Sequence, residues 1–185
     1  MFSKILGLWN KIIYKVKAGK KVSFEGVPNF VSHLQINVQS GGQITIGKGF
    51  SMKQGAYIAA INGGKITIGN NVSINRNCIL VCHEAITIGD NCAIGPNTVF
   101  YDHDHKFGEN GIECGYKTAP IVIESNCWIG AGVTILRGTY IGEGSVIGAG
   151  TVVHGEISAH SLVTANRELK IVPISKDGRG TIDER

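Results

Sequence analysis

Residues 121–153 read I-V-I-E-S-N-C-W-I-G-A-G-V-T-I-L-R-G-T-Y-I-G-E-G-S-V-I-G-A-G-T-V-V. Ile123, Ile129, Ile135, Ile141, Ile147 and Val153 fall at intervals of six. Toward the N-terminus the same step returns in triplets: Ile46, Met52 and Ile58, then Ile68, Ile74 and Leu80, then Ile88, Ile94 and Phe100. Three six-residue sides make one coil of 18 residues, and the extra residues between triplets are corner insertions. One inward aliphatic per six residues, followed by Gly or Asn, describes short strands joined by tight turns whose dihedrals those residues tolerate. Stacked coils then set Ile on Ile in a narrow prism, the arrangement of a parallel β-helix. The pattern is that of the left-handed form, an exception to the right-handed crossover rule. A Gly-rich sandwich would instead show alternating strands of uneven spacing. The expected fold is therefore all-β: a left-handed parallel β-helix of hexapeptide repeats, with a short N-terminal amphipathic helix and one long excursion loop.

Composition agrees. Glycine supplies 26 of 185 residues, about twice its ordinary share of ~7 %. It follows no three-residue period and Pro is scarce, which excludes collagen. An apolar content of 43 % argues against disorder. The net charge of +4 is unevenly spread: residues 1–21 hold six lysines and no acid, which leaves −2 for the rest. No basic nucleic-acid face is expected. The five cysteines are odd in number and form no C-x-x-C, so they read as small buried hydrophobes in a reducing compartment.

Residues 1–21 form a basic amphipathic segment, with Phe2, Ile5, Leu6, Trp9, Ile12, Ile13 and Val16 at helical spacing. Neither a transmembrane span nor a signal peptide is expected there. Two readings stand: a helix packed on the domain, or a peripheral anchor on anionic lipid at the inner face of the membrane of a cytoplasmic protein. The β-helix domain is expected over 22–172, with the loop at 101–120 and a tail at 173–185.

The register breaks once on a large scale, between Phe100 and Ile123. The intervening Y-D-H-D-H-K-F-G-E-N-G-I-E-C-G-Y-K-T-A-P is polar and Gly-rich and must leave the prism as a loop. Long loops on a rigid scaffold usually carry function. This one carries His103 and His105 beside two aspartates, a pattern open to general-base chemistry, to metal ligation or to solvated surface histidines.

Residues 71–105, N-V-S-I-N-R-N-C-I-L-V-C-H-E-A-I-T-I-G-D-N-C-A-I-G-P-N-T-V-F-Y-D-H-D-H, resemble the galactoside, maltose and nodulation-factor O-acetyltransferases of the hexapeptide-repeat family. The likeness continues through C-W-I-G-A-G-V-T-I-L and V-I-G-A-G-T-V-V, over roughly residues 65–155. It implies a homotrimer with sites between neighbouring β-helices and acetyl-CoA in that groove, with no metal. The family's catalytic His falls on His105, with His103 as the fallback, and its acceptor-pocket Asn falls on Asn75. The acceptor-pocket acid aligns with His83. Backbone amides in the Trp128–Ala131 turn and around Ala149 match positions that hold the thioester and the pantetheine arm.

Chemically, an acceptor hydroxyl needs a base, and the developing oxyanion needs a fixed donor. Asp102 and Asp104 are the nearby acids that could orient the base. The chain departs from its relatives at His154-Gly155, where a Thr-Lys pair is usual, and at the ending T-A-N-R-E-L-K-I-V-P. His154, Arg167 and Lys170 stand as cofactor contacts, the last two by charge complementarity with phosphates. These departures favour acceptors of surface-polysaccharide synthesis, either a small-molecule sugar or a lipid-linked one, over a simple galactoside. The competing readings are an N-acetyltransferase on an aminosugar nucleotide or antibiotic, a non-catalytic scaffold, and a γ-type carbonic anhydrase. The last needs a third histidine to join His83 and His105 on the coils just after residue 123, where I-G-A-G-V-T-I-L-R-G offers none and His154 lies too far along the stack.

Overall fold

The computed structural model describes residues 21–30 and 35–165. The expected N-terminal helix, Arg167, Lys170 and the tail lie outside the described residues, apart from Lys21 at the helix's end. Among the described residues there is no α-helix, and no helix long and apolar enough to cross a membrane.

The chain winds into a three-sided parallel solenoid. Face A stacks Val22–Phe24, Gln43–Ile46, Lys65–Ile68, Ala85–Ile88, Ile121–Ile123, Tyr140–Ile141 and Glu156–Ile157. Face B stacks Asn29–Phe30, Ser51–Met52, Ser73–Ile74, Ala93–Ile94, Trp128–Ile129, Val146–Ile147 and Leu162–Val163. Face C stacks Gln35–Val38, Tyr57–Ala60, Ile79–Cys82, Val99–Tyr101, Thr134–Leu136 and Val152–Val153.

Every strand pair between coils is parallel, and the register is the one the six-residue period requires. Ile46 pairs with Ile68, Ile68 with Ile88, Ile88 with Ile123 and Ile123 with Ile141. On face C, Ile58, Leu80, Phe100, Ile135 and Val153 form the matching column. These side chains are all but inaccessible to solvent, and each aliphatic so buried contributes roughly 1.5–3 kcal/mol.

The three corners are not equivalent. From face A to B, and from B to C, the step between inward residues is always six. From face C to A it is ten at Ile36–Ile46 and Ile58–Ile68, eight at Leu80–Ile88, six at Ile135–Ile141 and four at Val153–Ile157. All insertions, including the excursion, leave by this one corner.

Two expectations need correction. The glycine directly after the inward aliphatic does not carry the turn's left-handed dihedral. That falls two residues further on, at Asn71, Asn91 and Asn126 (φ 55°, 57° and 62°), where the Asn side chains hydrogen-bond one to the next at 3.1 and 3.2 Å. The glycine is required because the next coil's backbone lies against it: a Cβ on Gly89 would sit 2.6 Å from the Ser125 nitrogen.

The excursion, in turn, is an antiparallel hairpin and not an irregular loop, with strands His103–Gly108 and Gly111–Thr118. Tyr101 still belongs to face C. The two residues between Gly108 and Gly111, Glu109 and Asn110, make the turn, and Gly111 directly after them takes the left-handed dihedral (φ 97°), the place where short hairpin connections call for glycine. Four cysteines are buried as expected, whereas Cys114 is exposed on the hairpin.

Gly89→Ala should therefore cost about 2–4 kcal/mol in urea denaturation. Asn91→Gly keeps the dihedral, loses only the side-chain ladder, and should cost under about 1 kcal/mol.

Candidate active site

Where face C ends, the alternation that points Phe100 inward also points Asp102 inward. Its carboxylate is completely buried, and such a charge must be paired or hydrogen-bonded. It is. Its oxygens accept the His83 N–H at 2.9 and 3.0 Å and the Glu84 N–H at 2.7 Å, and face His103 Nδ1 at 3.0 Å. The Asp102 carbonyl accepts the Ala119 N–H at 3.0 Å, which closes the root of the hairpin. One acid thus anchors the corner of the preceding coil, the hairpin and an imidazole.

With Nδ1 committed to Asp102, His103 keeps Nε2 as its free nitrogen. The His103 side chain is 12 % exposed. Its ring stacks on His83 with centroids 3.9 Å apart and planes 27° from parallel. Tyr116 stands nearly perpendicular to both, 4.4 Å from His83 and 5.1 Å from His103. Tyr101 meets His103 edge-on at 5.9 Å. Burial, and then the neighbouring His103, lower the pKa of His83 against the opposing pull of Asp102. Burial, and then Asp102, push the Cys82 thiol up, which leaves it an inert core residue.

His105 is exposed further along the hairpin, with its ring tilted against Tyr116 at 4.9 Å. Asp104 forms an ion pair with Arg137 of the next coil, which ties the hairpin down on that side.

The residues singled out in the sequence divide between two edges of the prism. His83, His103, His105 and His154 stand at the corner between faces C and A. Asn75, Ala131 and Ala149 stand at the corner between faces B and C, and Trp128 begins a face-B strand, 59 % exposed. One chain does not bring Asn75 to His103. The Asn75 side chain instead accepts the Arg76 N–H at 2.9 Å.

At the corner between faces A and B the equivalent backbone donors are satisfied by side chains: Lys48 N–H by Asn70, Asn70 N–H by Asp90, Asp90 N–H by Ser125. At Ala131 and Ala149 a glycine precedes each donor, and neither N–H has an acceptor among the described residues. Both are exposed, one coil apart, with the Gly150 N–H bonded to the Ala131 carbonyl at 2.8 Å. Such a column of outward N–H groups fits the amide carbonyls of a pantetheine arm.

Tyr116, Tyr101 and Arg137 were not legible as site residues. Asp102 had a signal: Ala60 pairs with Cys82 in the second inward column of face C, and Asp102 occupies the next coil of that column. An acid in an apolar column marks a site. Among the described residues no group of three His, Cys, Asp or Glu side chains is arranged to hold a metal.

Residues 120–155 match the family described as bacterial transferase hexapeptide (six repeats). A Staphylococcus aureus (strain Mu50) protein that carries an acetyltransferase name is 48 % identical over 97 residues, 52 % of this chain and 49 % of that one. The chain thus spans about half the length of the curated relatives it matches first. Among solved structures, AntD, an N-acyltransferase from Bacillus cereus in complex with dTDP and coenzyme A, superposes with TM-score 0.69 over 90 % of this chain and 89 % of its own, at 20 % identity. That likeness concerns the fold alone. A hexapeptide-repeat acetyltransferase from Vibrio cholerae, in complex with acetyl-coenzyme A, gives TM-score 0.54 and 29 % identity over 77 % of this chain and 67 % of its own. The chain is a hexapeptide-repeat β-helix protein whose C-terminal coils carry the repeat of the bacterial transferases.

Proposed function

We propose that the chain transfers an acetyl group from acetyl-CoA to a hydroxyl of a sugar acceptor, in a site completed between copies of a homotrimer. The observation that carries this reading is the His103 imidazole, held through Nδ1 by the buried Asp102 with Nε2 left free. This moves the base from His105, the position the family resemblance selects, to His103. His105 has no carboxylate on its ring among the described contacts and stands exposed.

Acetyl-CoA supplies an activated acyl carbon. His103 Nε2 accepts the proton of the acceptor hydroxyl as the new C–O bond forms. Asp102 stabilises the resulting imidazolium without itself taking the proton. His103 then returns that proton to the sulfur as the C–S bond breaks, so O-acetyl acceptor and free thiol leave and the base is restored. The Ala131 and Ala149 N–H groups suit the carbonyl oxygens of the thioester arm.

The division of the site over two edges supports assembly, because a second prism must bring its own edge alongside the first. Face C supports it too. Its outward residues include Tyr57, Ile79, Val99 and Val152, while face A presents Thr45, Thr67 and Thr87. An apolar outer face of this kind suits burial against another copy. The departures at His154-Gly155, and the basic segment 1–21, support an acceptor from surface-polysaccharide synthesis.

Thiol release from acetyl-CoA, measured across sugars, aminosugar nucleotides and lipid-linked glycans, tests the reading. An amine acceptor as the sole substrate would overturn the hydroxyl assignment. His103→Ala should lower kcat by about 10²–10⁴-fold, and Asp102→Asn by at least about tenfold. His105→Ala should stay within about threefold of wild type by the same argument of general-base necessity. Equal loss at His105 and none at His103 would reverse the assignment.

For His83, NMR titration should place protonation below the ordinary ~6.5, as burial dictates. The unfolded chain then binds the proton first as pH falls, so this residue's contribution is present above that pH and lost beneath it. His83→Gln should flatten that part of the stability profile.

A further inference from the structure

We infer that His83 is a positioning residue for the base: its imidazole is the wall against which the His103 ring is held, and it acts through its aromatic face, not through a nitrogen. The inference rests on the proposed acyl transfer and gives His83 a different part from the acceptor contact that the family resemblance implies.

The Cβ–Cγ bond and the Nδ1 contact with Asp102 hold one side of the His103 ring. Nε2 lies on the opposite side, where a small tilt of the ring moves it most. Tilting is limited only by what covers the faces. His83 covers one of them, with centroids 3.9 Å apart and planes 27° from parallel. Tyr101 and Tyr116 meet the same ring nearly perpendicular, at 5.9 and 5.1 Å. Of the three neighbours, only His83 lies flat against it.

The acid that holds the base also sets this stack. Asp102 Oδ1 accepts the His83 N–H at 2.9 Å and faces His103 Nδ1 at 3.0 Å. Both residues therefore hang from one buried atom, although His83 follows the strand Ile79–Cys82 and His103 opens the hairpin on the next coil. Among the described residues the His83 ring makes aromatic contacts, to His103 and Tyr116, and no hydrogen bond. What it offers His103 is a face. A carboxylate in this place could not stack.

Charge is consistent with that part. When His103 takes the acceptor's proton, a neutral ring against its face attracts the cation, whereas a second imidazolium would repel it. Burial, and then His103 itself, disfavour a proton on His83. The pair thus carries one proton, on the ring that Asp102 holds.

The test separates face from nitrogen. Kinetics follow thiol release from acetyl-CoA with the best acceptor of the same panel. His83→Ala and His83→Asn should lower kcat about 10–10²-fold, with KM for acceptor and for acetyl-CoA within about twofold of wild type. His83→Phe restores a flat ring without a nitrogen and should recover kcat to within about threefold of wild type. NMR of the full chain without ligand reads the same contact. Stacking should hold the His103 ring protons upfield in the wild type and in His83→Phe, and they should move downfield in the other two. A His83→Asn enzyme that outperforms His83→Phe overturns the inference, because the part then belongs to a nitrogen. A raised KM for the acceptor at unchanged kcat also overturns it, in favour of an acceptor contact. So does wild-type kcat in His83→Ala. If His83→Ala does not fold, the comparison of Phe with Asn decides. Failure of the acyl-transfer reading shows separately, as no His103-dependent thiol release. His103 shifts that ignore the loss of the His83 ring overturn the inference whatever the kinetics.

Discussion

Everything in this molecule follows from one contact: the backbone of each coil lies directly on the backbone of the coil before it. Where that approach is closest a side chain has no room and glycine fills the position after the inward aliphatic, as at Gly89 against Ser125, whereas at Lys53, Asn75 and Glu124 the same position carries a side chain. The parallel ladder then carries register from coil to coil without slippage, because a shift of one residue would turn the isoleucine columns to solvent. Two corners are thereby frozen at six residues per step. The third takes up every departure from the period, from four residues to the full hairpin.

That third corner is where chemistry is affordable. A rigid stack on two corners positions the root of the hairpin to within the tolerance of a hydrogen bond, and Asp102 uses this. Its carboxylate is an acid in an apolar column, an expensive arrangement unless several donors converge on it. Two backbone N–H groups and His103 do so. The same burial that makes the aspartate costly makes its hold on the imidazole firm, so a group that stabilises the corner also orients the His103 ring.

The split between two edges has a geometric origin. A prism of this section cannot bend, so side chains on different corners never meet within one chain. On the proposed reading the histidine cluster and the outward N–H column at Ala131 and Ala149 are each half of a site, which apposition of two copies would join, and the apolar outer side of face C is suited to that apposition.

The repeat was legible from the residues alone because period six is a local property: inward residue, turn, inward residue, with each side short enough to specify itself. The fold, the columns of the core and the single place where the chain leaves the prism all follow from it. The turn chemistry was half legible. Glycine and asparagine signal corners, but which of them bends the chain and which yields to a neighbour depends on the backbone of the next coil. The excursion's G-E-N-G carried a hairpin signal in its own sequence, whereas the choice between His103 and His105 did not lie there. Two histidines with one residue between them are equivalent in sequence. Only the tertiary structure separates them, because the inward alternation of face C buries Asp102 against one ring and leaves the other in solvent.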